Sequence, residues 1–356
     1  MEEKQIKCIM YLCTCTQTAW MKIPQNKSVR LSREKGTQLK RVFVINPVAG
    51  PKSPVEMLRP RILSAAKAAG VDVQVLVTTH PGHAGELAEQ FSHSGEQVWL
   101  YACGGDGTFN EMVQVAVRHP NLSIGLVPCG SGNDFVRNFG GNAAFLDLDA
   151  QLRAVPHTMD TIRTEYGYSA AICAAGLDAQ VAYGIPKFKR LPFCGGSMAY
   201  TLSIVEAFFS RLSHSLRVTL GDRVLEGRFM MSAICNGRQY GGGYTAAPHA
   251  LLDDGLLDVV LLRPVPRLKI PGMLAKYKTG AHLSADDTVL PEFSPYMTFC
   301  RVRSVTMETL DGLPLIVTLD GECAPRTELH ARVCEKNLSV LLPAGLERSR
   351  LPFVKG

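Results

Sequence analysis

Between Arg41 and Val127, short apolar runs alternate with stretches of helical periodicity, and this rhythm constrains the fold more than any other feature. Val42-Phe43-Val44-Ile45 is a strand-type run that stops at Asn46-Pro47. A helix is predicted over about Val55–Ala69, starting near Pro60. Val71, Val73, Val75 and Val77 alternate strictly, which predicts a second strand. Ala84, Leu87, Ala88 and Phe91 fall on one helical face. A third strand is predicted over Val98–Ala102, a helical stripe at Phe109, Met112, Val113, Ala116 and Val117, and a fourth strand over Ser123–Val127. Such alternation implies a parallel sheet with helices on both faces, and ligands then bind beyond the carboxyl ends of the strands.

Past Asp147 the rhythm changes. Leu216, Val218 and Leu220 alternate before Gly221-Asp222, and strand-like runs follow at Arg228–Cys235, Leu257–Leu262, Val302–Met307, Leu315–Leu319, Glu328–Val333 and Leu338–Leu342. One helix, about Met198–Ser210, interrupts them. This half reads as antiparallel β, a sandwich or curled sheet. A chain of 356 residues is too long for one ordinary core. The expected division is an N-terminal extension outside the fold over 1–39, an α/β nucleotide domain over 40–165, a β-sandwich over 166–343, and a tail over 344–356 that packs back on the first domain. Within the extension, the apolar patch Cys8–Cys13 lacks the flanks of a secretory signal, and Met21 offers a more natural start.

Hydrophobic residues at 46% and charged residues at 20% give a globular profile. The net charge of +6 suits anionic phosphates or an anionic membrane face. No basic stripe with a known motif points to nucleic acid. No apolar run reaches the roughly 18 residues of a spanning helix. The eleven cysteines are scattered without a C-x-x-C pair, which speaks against a zinc cage and for small core residues in a reducing compartment.

Five segments carry chemistry. Gly104-Gly105-Asp106-Gly107-Thr108-Phe109-Asn110-Glu111 joins a strand to a helix; glycines allow close approach of an anion, and free helix-start amides face it. Asp106 beside a phosphate site makes sense chiefly with a divalent cation between them. A plain capped turn is the competing reading. Pro128-Cys129-Gly130-Ser131-Gly132-Asn133-Asp134-Phe135-Val136-Arg137 again ends a strand and opens a helix. Neither loop meets G-x-G-x-x-G, since Phe135 and Asn110 stand at the last glycine, and no P-loop exists. Asn46-Pro47-Val48-Ala49-Gly50 is by itself a turn. Asn236–Gly243 ends in three glycines and suits a loop near a ligand, with Asp253-Asp254-Gly255 beyond it. Asp320-Gly321-Glu322 is a turn between strands or the source of a general base.

Together these segments resemble the diacylglycerol kinase catalytic-domain family, which includes bacterial soluble lipid kinases and sphingosine and ceramide kinases. The ordered motifs cover about residues 40–343. The resemblance implies ATP and Mg²⁺, a Rossmann-like α/β domain, a C-terminal β-sandwich, and an active site in the cleft between them. It implies that Asn46, Pro47, Val48, Ala49 and Gly50 form the first nucleotide loop and that Thr78 contacts nucleotide. Gly104 to Glu111 match the phosphate loop, and Ser131, Asn133 and Asp134 the second. Asp254, with the backbone oxygens of Leu251 and Leu256, matches a Mg²⁺ ligand that is either structural or catalytic. Asp320 and Glu322 match the acid pair that supplies the base, with Glu322 slightly favoured, and Asp106 the acid beside the transferred phosphate. The implied activity is phosphorylation of a lipid hydroxyl, diacylglycerol first; phosphatidylglycerol, a sphingoid base, a polyprenol, an NAD-kinase-like soluble acceptor or a non-catalytic lipid binder are the alternatives. The implied protein is cytoplasmic and meets the inner membrane face peripherally, with Pro186–Phe193 as candidate contact; a homodimer is left open.

Overall fold

The computed structural model describes residues 39–50, 53–189, 202–203, 213–346 and 351–353, and of 178, 185, 186, 188 and 189 the backbone alone. The extension predicted over 1–39 therefore lies outside the described residues except for 39, as does most of the helix predicted over Met198–Ser210. The contact patch at Pro186–Phe193 is described only through the backbone to Lys189 and the exposed Lys187.

Strands β1 (Lys40–Ile45), β2 (Gln74–Val77), β3 (Val98–Gly104) and β4 (Leu122–Pro128) pair in parallel in the order β2-β1-β3-β4. Alternate residues of each strand feed two cores. Phe43, Ile45, Tyr101 and Val127 meet Leu58, Ile62 and Ala66 of α1 (Pro54–Ala69) and Leu148 and Leu152 of α6 (Leu148–Leu152). Val42, Val44, Leu100 and Ile124 face α2 (His83–Ser92), α3 (Asp106–Ala116), α4 (Asp134–Arg137) and α5 (Asn142–Phe145). Helix α1 starts at Pro54, and Pro60 lies inside it. Pro54 at the first turn pre-sets φ, so the helix begins one turn and a half before the expected place. Gly70, at φ 64°, ends α1, and the Val71 amide still returns to the Ala66 carbonyl at 3.1 Å. That is why β2 begins at Gln74 rather than Val71.

The second half continues as β5 (Val155–Thr164), β6 (Gly167–Ser169), β7 (Ile172–Gly176), α7 (Leu177–Lys189), β8 (His214–Leu220), β9 (Arg223–Phe229), β10 (Met231–Cys235), β11 (Gln239–Tyr240) and β12 (Tyr244–Thr245). There follow β13 (Leu257–Leu262), a 3₁₀ turn at Arg267–Lys269, α8 (Ile270–Thr279), β14 (Met297–Val302), β15 (Ser304–Thr309), β16 (Leu315–Leu319), β17 (Glu322–Arg326) and β18 (Glu328–Leu342). A six-stranded antiparallel sheet, β14-β13-β10-β7-β16-β17, packs on β9-β8-β15-β18 and β5. Inward residues such as Leu216, Val218, Ile234, Val259, Leu261, Val305 and Val317 fill the space between. This is the β-sandwich.

The run Arg228–Cys235 is two strands in opposite sheets, divided at Met230, whose amide donates to Leu262 and whose carbonyl accepts from Leu177. Arg303 makes the same corner between β14 and β15. Conversely, the two predicted strands at 328–333 and 338–342 form one 15-residue strand. The first part of β18 pairs with β15, and its last part lies parallel to β4, with Val340 opposite Ile124. A shift between Cys334 and Leu338 joins the two parts, with Lys336 at φ 48° donating its amide to Asp160 Oδ1 at 2.7 Å. Beyond β18, Leu346, Leu351 and Phe353 pack on the first core, and the Pro352 carbonyl accepts the Leu252 amide at 2.7 Å. Among the described residues no helix is long and apolar enough to cross a membrane.

Candidate active site

The loops after β1, β3 and β4 meet at the carboxyl edge of the parallel sheet. Asn46 organises the first: its Oδ1 accepts the Val48 amide at 3.1 Å, and its Nδ2 donates to Thr108 Oγ1 at 3.0 Å. Gly50, at φ 75°, lies so close to the next loop that a Cβ there would sit 2.3 Å from the Cys129 carbonyl oxygen. Thr78 is buried at the end of β2, its amide on the Ile45 carbonyl at 2.9 Å. Pro47, Val48 and Ala49 complete the loop, with Val48 exposed.

Helix α3 is capped by the backbone of Gly105, without a side-chain cap, and Phe109 makes the first intrahelical hydrogen bond, to Gly105. The amides of Asp106, Gly107 and Thr108 precede it at the positive end of the helix, the arrangement in which a helix start can receive an anion. Gly105 and Gly130 touch. A Cβ on Gly130 would lie 2.6 Å from Gly105 Cα, and one on Gly104 2.4 Å from Thr108 Oγ1. Gly130→Ala is therefore expected to force the loops after β3 and β4 apart, at a cost of about 1–3 kcal/mol. Gly272→Ala, with open space around it, is the control. Thermal melts and titration with a non-hydrolysable ATP analogue check both.

Three carboxylates converge here. Asp106 Oδ1 accepts the amides of Asp134 at 2.8 Å and Phe135 at 3.4 Å. Burial, then the neighbouring Asp134, pushes the Asp106 pKa up to about 6. Asp134 Oδ1 takes the Gly242 amide at 2.9 Å and pairs with Arg137 Nε at 3.3 Å. Burial raises its pKa too, against the pull of that amide and of Arg137. Asn133, at φ 54°, donates to the Gly130 carbonyl at 2.9 Å, while its buried Oδ1 has no hydrogen-bond donor among the described residues. Ser131 is exposed beside it.

The turn after β16 completes the group. Asp320, at φ 47°, is held from four sides: Oδ1 accepts Ser169 Oγ at 2.8 Å, the Ala171 amide at 3.1 Å and the Ile172 amide at 2.9 Å, and Oδ2 accepts the Ala170 amide at 2.5 Å. Burial raises its pKa in spite of these donors. Glu322 is exposed, and no hydrogen bond or ion pair of its carboxylate occurs among the described residues. A Cβ on Gly107 would lie 3.3 Å from Glu322 Oε1, which places this carboxylate over the start of α3.

Three residues of the Gly104–Glu111 segment are engaged elsewhere. Phe109 is a core residue stacked on Phe135 with centroids 4.3 Å apart. Glu111 accepts the Gly82 amide at 2.8 Å and the Ala84 amide at 3.1 Å, closing the start of α2. Asn110 donates to the Leu319 carbonyl at 3.4 Å, and so joins α3 to the Asp320 turn. Leu251, Asp254 and Leu256 lie apart from the three carboxylates. Asp254 Oδ1 accepts the Leu256 amide at 3.0 Å, and its neighbours Arg301, Asp253 and Asp160 belong to the β half.

Asn138 and Gln114 also hold the cleft and are not singled out by the sequence, whereas Asn236 opens the Asn236–Gly243 segment. Asn138 Oδ1 accepts the Arg238 amide at 2.6 Å and fixes the Asn236–Gly243 loop on α4. Asn236 Nδ2 donates to the carbonyls of Asp160 and Ala170 at 2.8 and 2.9 Å. Gln114 exchanges two hydrogen bonds with the Tyr168 backbone. Asn138 and Gln114 are polar residues in unremarkable local sequence, and the partners named for them are at least 54 positions away.

Residues 40–165 match the family described as "Diacylglycerol kinase catalytic domain", and residues 171–342 match "YegS C-terminal NAD kinase beta sandwich-like domain". A protein of Pseudomonas aeruginosa named "Probable lipid kinase YegS-like" is 31% identical over 295 residues, 82% of this chain and 91% of the relative. Proteins of the same name from Shewanella frigidimarina and Xanthomonas campestris are each 30% identical, over 67% and 74% of this chain and 75% and 84% of theirs. A solved diacylglycerol kinase from Bacillus anthracis superposes with a TM-score of 0.61 at 16% identity, over 86% of this chain and 98% of that one, which shows the shared fold. The chain belongs to the YegS-like lipid kinases of the diacylglycerol kinase catalytic-domain family.

Proposed function

We propose that this kinase transfers the γ-phosphoryl group of ATP to the hydroxyl of diacylglycerol at a membrane surface, giving phosphatidic acid and ADP. The observation that carries this reading is the unengaged carboxylate of Glu322 over Gly107 at the start of α3. A lipid hydroxyl is a poor nucleophile at neutral pH and needs a positioned base. Glu322 accepts the proton as the hydroxyl oxygen bonds to the γ-phosphorus and the bridging oxygen leaves with ADP. Asp320 is the wrong partner for that task, because its oxygens are already taken by four donors. The amides of Gly107 and Thr108 stabilise charge on the transferred group.

The residues present fit Mg²⁺. Asp106 and Asp134 are neighbouring carboxylates, each with its pKa raised, and the unpartnered Asn133 Oδ1 adds a neutral oxygen. Bound there, the ion would neutralise charge on the β- and γ-phosphates. Asp254 with the carbonyls of Leu251 and Leu256 is likewise an all-oxygen set, and it suits an ion that orders the β half.

The matched catalytic domain and the Bacillus anthracis relative support diacylglycerol as acceptor. The test is radiolabelled ATP and Mg²⁺ with purified protein and a panel of diacylglycerol, phosphatidylglycerol, sphingosine and a polyprenol in micelles, with NAD as soluble control. Labelled phosphatidic acid is the expected product. Label on another lipid alone would replace the acceptor, and label on NAD alone would sink the lipid reading.

A further inference from the structure

The segment before α8 carries a feature that the chemistry above does not use. Leu268 is 97% exposed, whereas the next most exposed large hydrophobic among the described residues, Val224, is 54% exposed. Leu268 sits in the middle of the 3₁₀ turn Arg267–Lys269, whose N-cap is Pro266. Pro264 and Pro266 lead into the turn and Pro271 follows it. Prolines fix φ, so the leucine is held out on a stiff knuckle instead of folding back on the protein. Single exposed leucines are ordinary; the surroundings of this one are not.

From Val259 to Ala285 the chain has no carboxylate, yet it carries Arg263, Arg267, Lys269, Lys276 and Lys278. Arg267 and Lys269 flank the leucine directly, and both are exposed. Lys269 Nζ lies 5.4 Å from the Tyr296 ring centre, and Lys278 Nζ 5.7 Å from that of Tyr244, both rings half-buried. Lys276 pairs with Glu292. An apolar tip between cations, with tyrosines behind it, is the composition that settles at the headgroup level of an anionic bilayer.

The knuckle is also joined to the active site. Helix α8 rests on the β11–β12 hairpin: the Tyr277 and Tyr240 hydroxyls are 3.4 Å apart, and a Cβ on Gly280 would lie 3.1 Å from Thr245 Cγ2. The same hairpin holds Asp134 through the Gly242 amide. We infer that Arg267-Leu268-Lys269 is a membrane anchor that inserts Leu268 into an anionic phospholipid surface and brings the hairpin rim of the cleft to the lipid acceptor. The anchor rests on the reading of the acceptor as a lipid.

The test is co-sedimentation of the full chain with vesicles of phosphatidylcholine alone and of phosphatidylcholine mixed with phosphatidylglycerol. Wild-type protein is expected to pellet with the mixed vesicles and far less with phosphatidylcholine. Leu268→Asp and the double variant Arg267→Glu, Lys269→Glu should each lower partitioning to the mixed vesicles about tenfold. Both should phosphorylate a short-chain, monomer-soluble diacylglycerol at the wild-type rate. Unchanged sedimentation of both variants overturns the anchor. So does a loss of soluble-acceptor turnover equal to the loss of vesicle binding, because the segment would then serve the fold. Equal binding of wild type to both vesicle types also overturns it. Sedimentation needs no turnover, so a failure of the diacylglycerol assignment stays distinguishable from a failure of the anchor.

Discussion

Asp106→Asn is expected to lower phosphoryl transfer by at least about 10²-fold while the protein stays folded. Asparagine keeps an oxygen for the Asp134 and Phe135 amides, which are 2.8 and 3.4 Å from Asp106 Oδ1. It loses the charge. Asp106→Ala should lose activity to a similar extent and some stability with it, since the two amides at the start of α4 are left without their acceptor. The asparagine variant also carries a stability signature. The folded pKa of Asp106 is raised to about 6 from 3.8. A carboxyl raised on folding favours the folded state fully below its unfolded pKa, and this contribution is lost as pH rises through the folded value. In the nucleotide-free protein, wild type should therefore lose stability relative to Asp106→Asn between about pH 4 and pH 6. The size is roughly 1–3 kcal/mol after allowance for the solvent that reaches the carboxylate. Denaturant melts of both proteins across that window check it. Near wild-type turnover of Asp106→Asn would sink the role given to this residue.

Glu322→Ala is the second large effect, again at least about 10²-fold in turnover, in line with loss of a general base. Its contrast with Asp320 separates the two acids. Glu322 has no partner to abandon among the described residues, so its removal should leave the melting temperature near wild type. Asp320→Ala strips four donors of their acceptor and should cost about 3 kcal/mol, with activity falling as a consequence of the displaced turn. Measured together, turnover and melting temperature distinguish the base from the brace. A stable Asp320→Ala with no turnover, beside an active Glu322→Ala, would exchange the two assignments.

Much of the first half was legible because its strands are short apolar runs and several elements end at Gly, Pro or Asn, as at Asn46, Gly70 and Gly104. The phosphate loops were legible because close approach of backbones demands glycine, as at Gly105 and Gly130. Between Asp320 and Glu322 the sequence favours Glu322 only slightly, because it does not show how differently the two are held. That difference rests on Ser169, Ala170, Ala171 and Ile172, about 150 residues away in sequence, which reach Asp320 and not the Glu322 carboxylate. The corners at Met230 and Arg303 were hidden for another reason. Apolar character runs on across Met230, and at Arg303 no turn residue separates Val302 from the run that follows, so neither change of sheet marks the sequence. Glu111 shows the converse limit: its place in the phosphate motif is clear, yet its carboxylate serves α2.

The course of β18 bears on how the chain comes to be folded at all. Val340 reaches back to Ile124, so the strand that shields the β4 edge is translated about 200 residues after it, behind every other strand described. A ribosome-bound chain that already holds residues 40–165 still has an open sheet edge, which invites pairing with other chains. The matched catalytic segment thus closes neither its sheet nor its site by itself, since β18 and the Asp320–Glu322 turn both come from the second half. A fragment cut at residue 165 is expected to aggregate, and supplying 328–342 as a separate peptide should partly rescue its solubility.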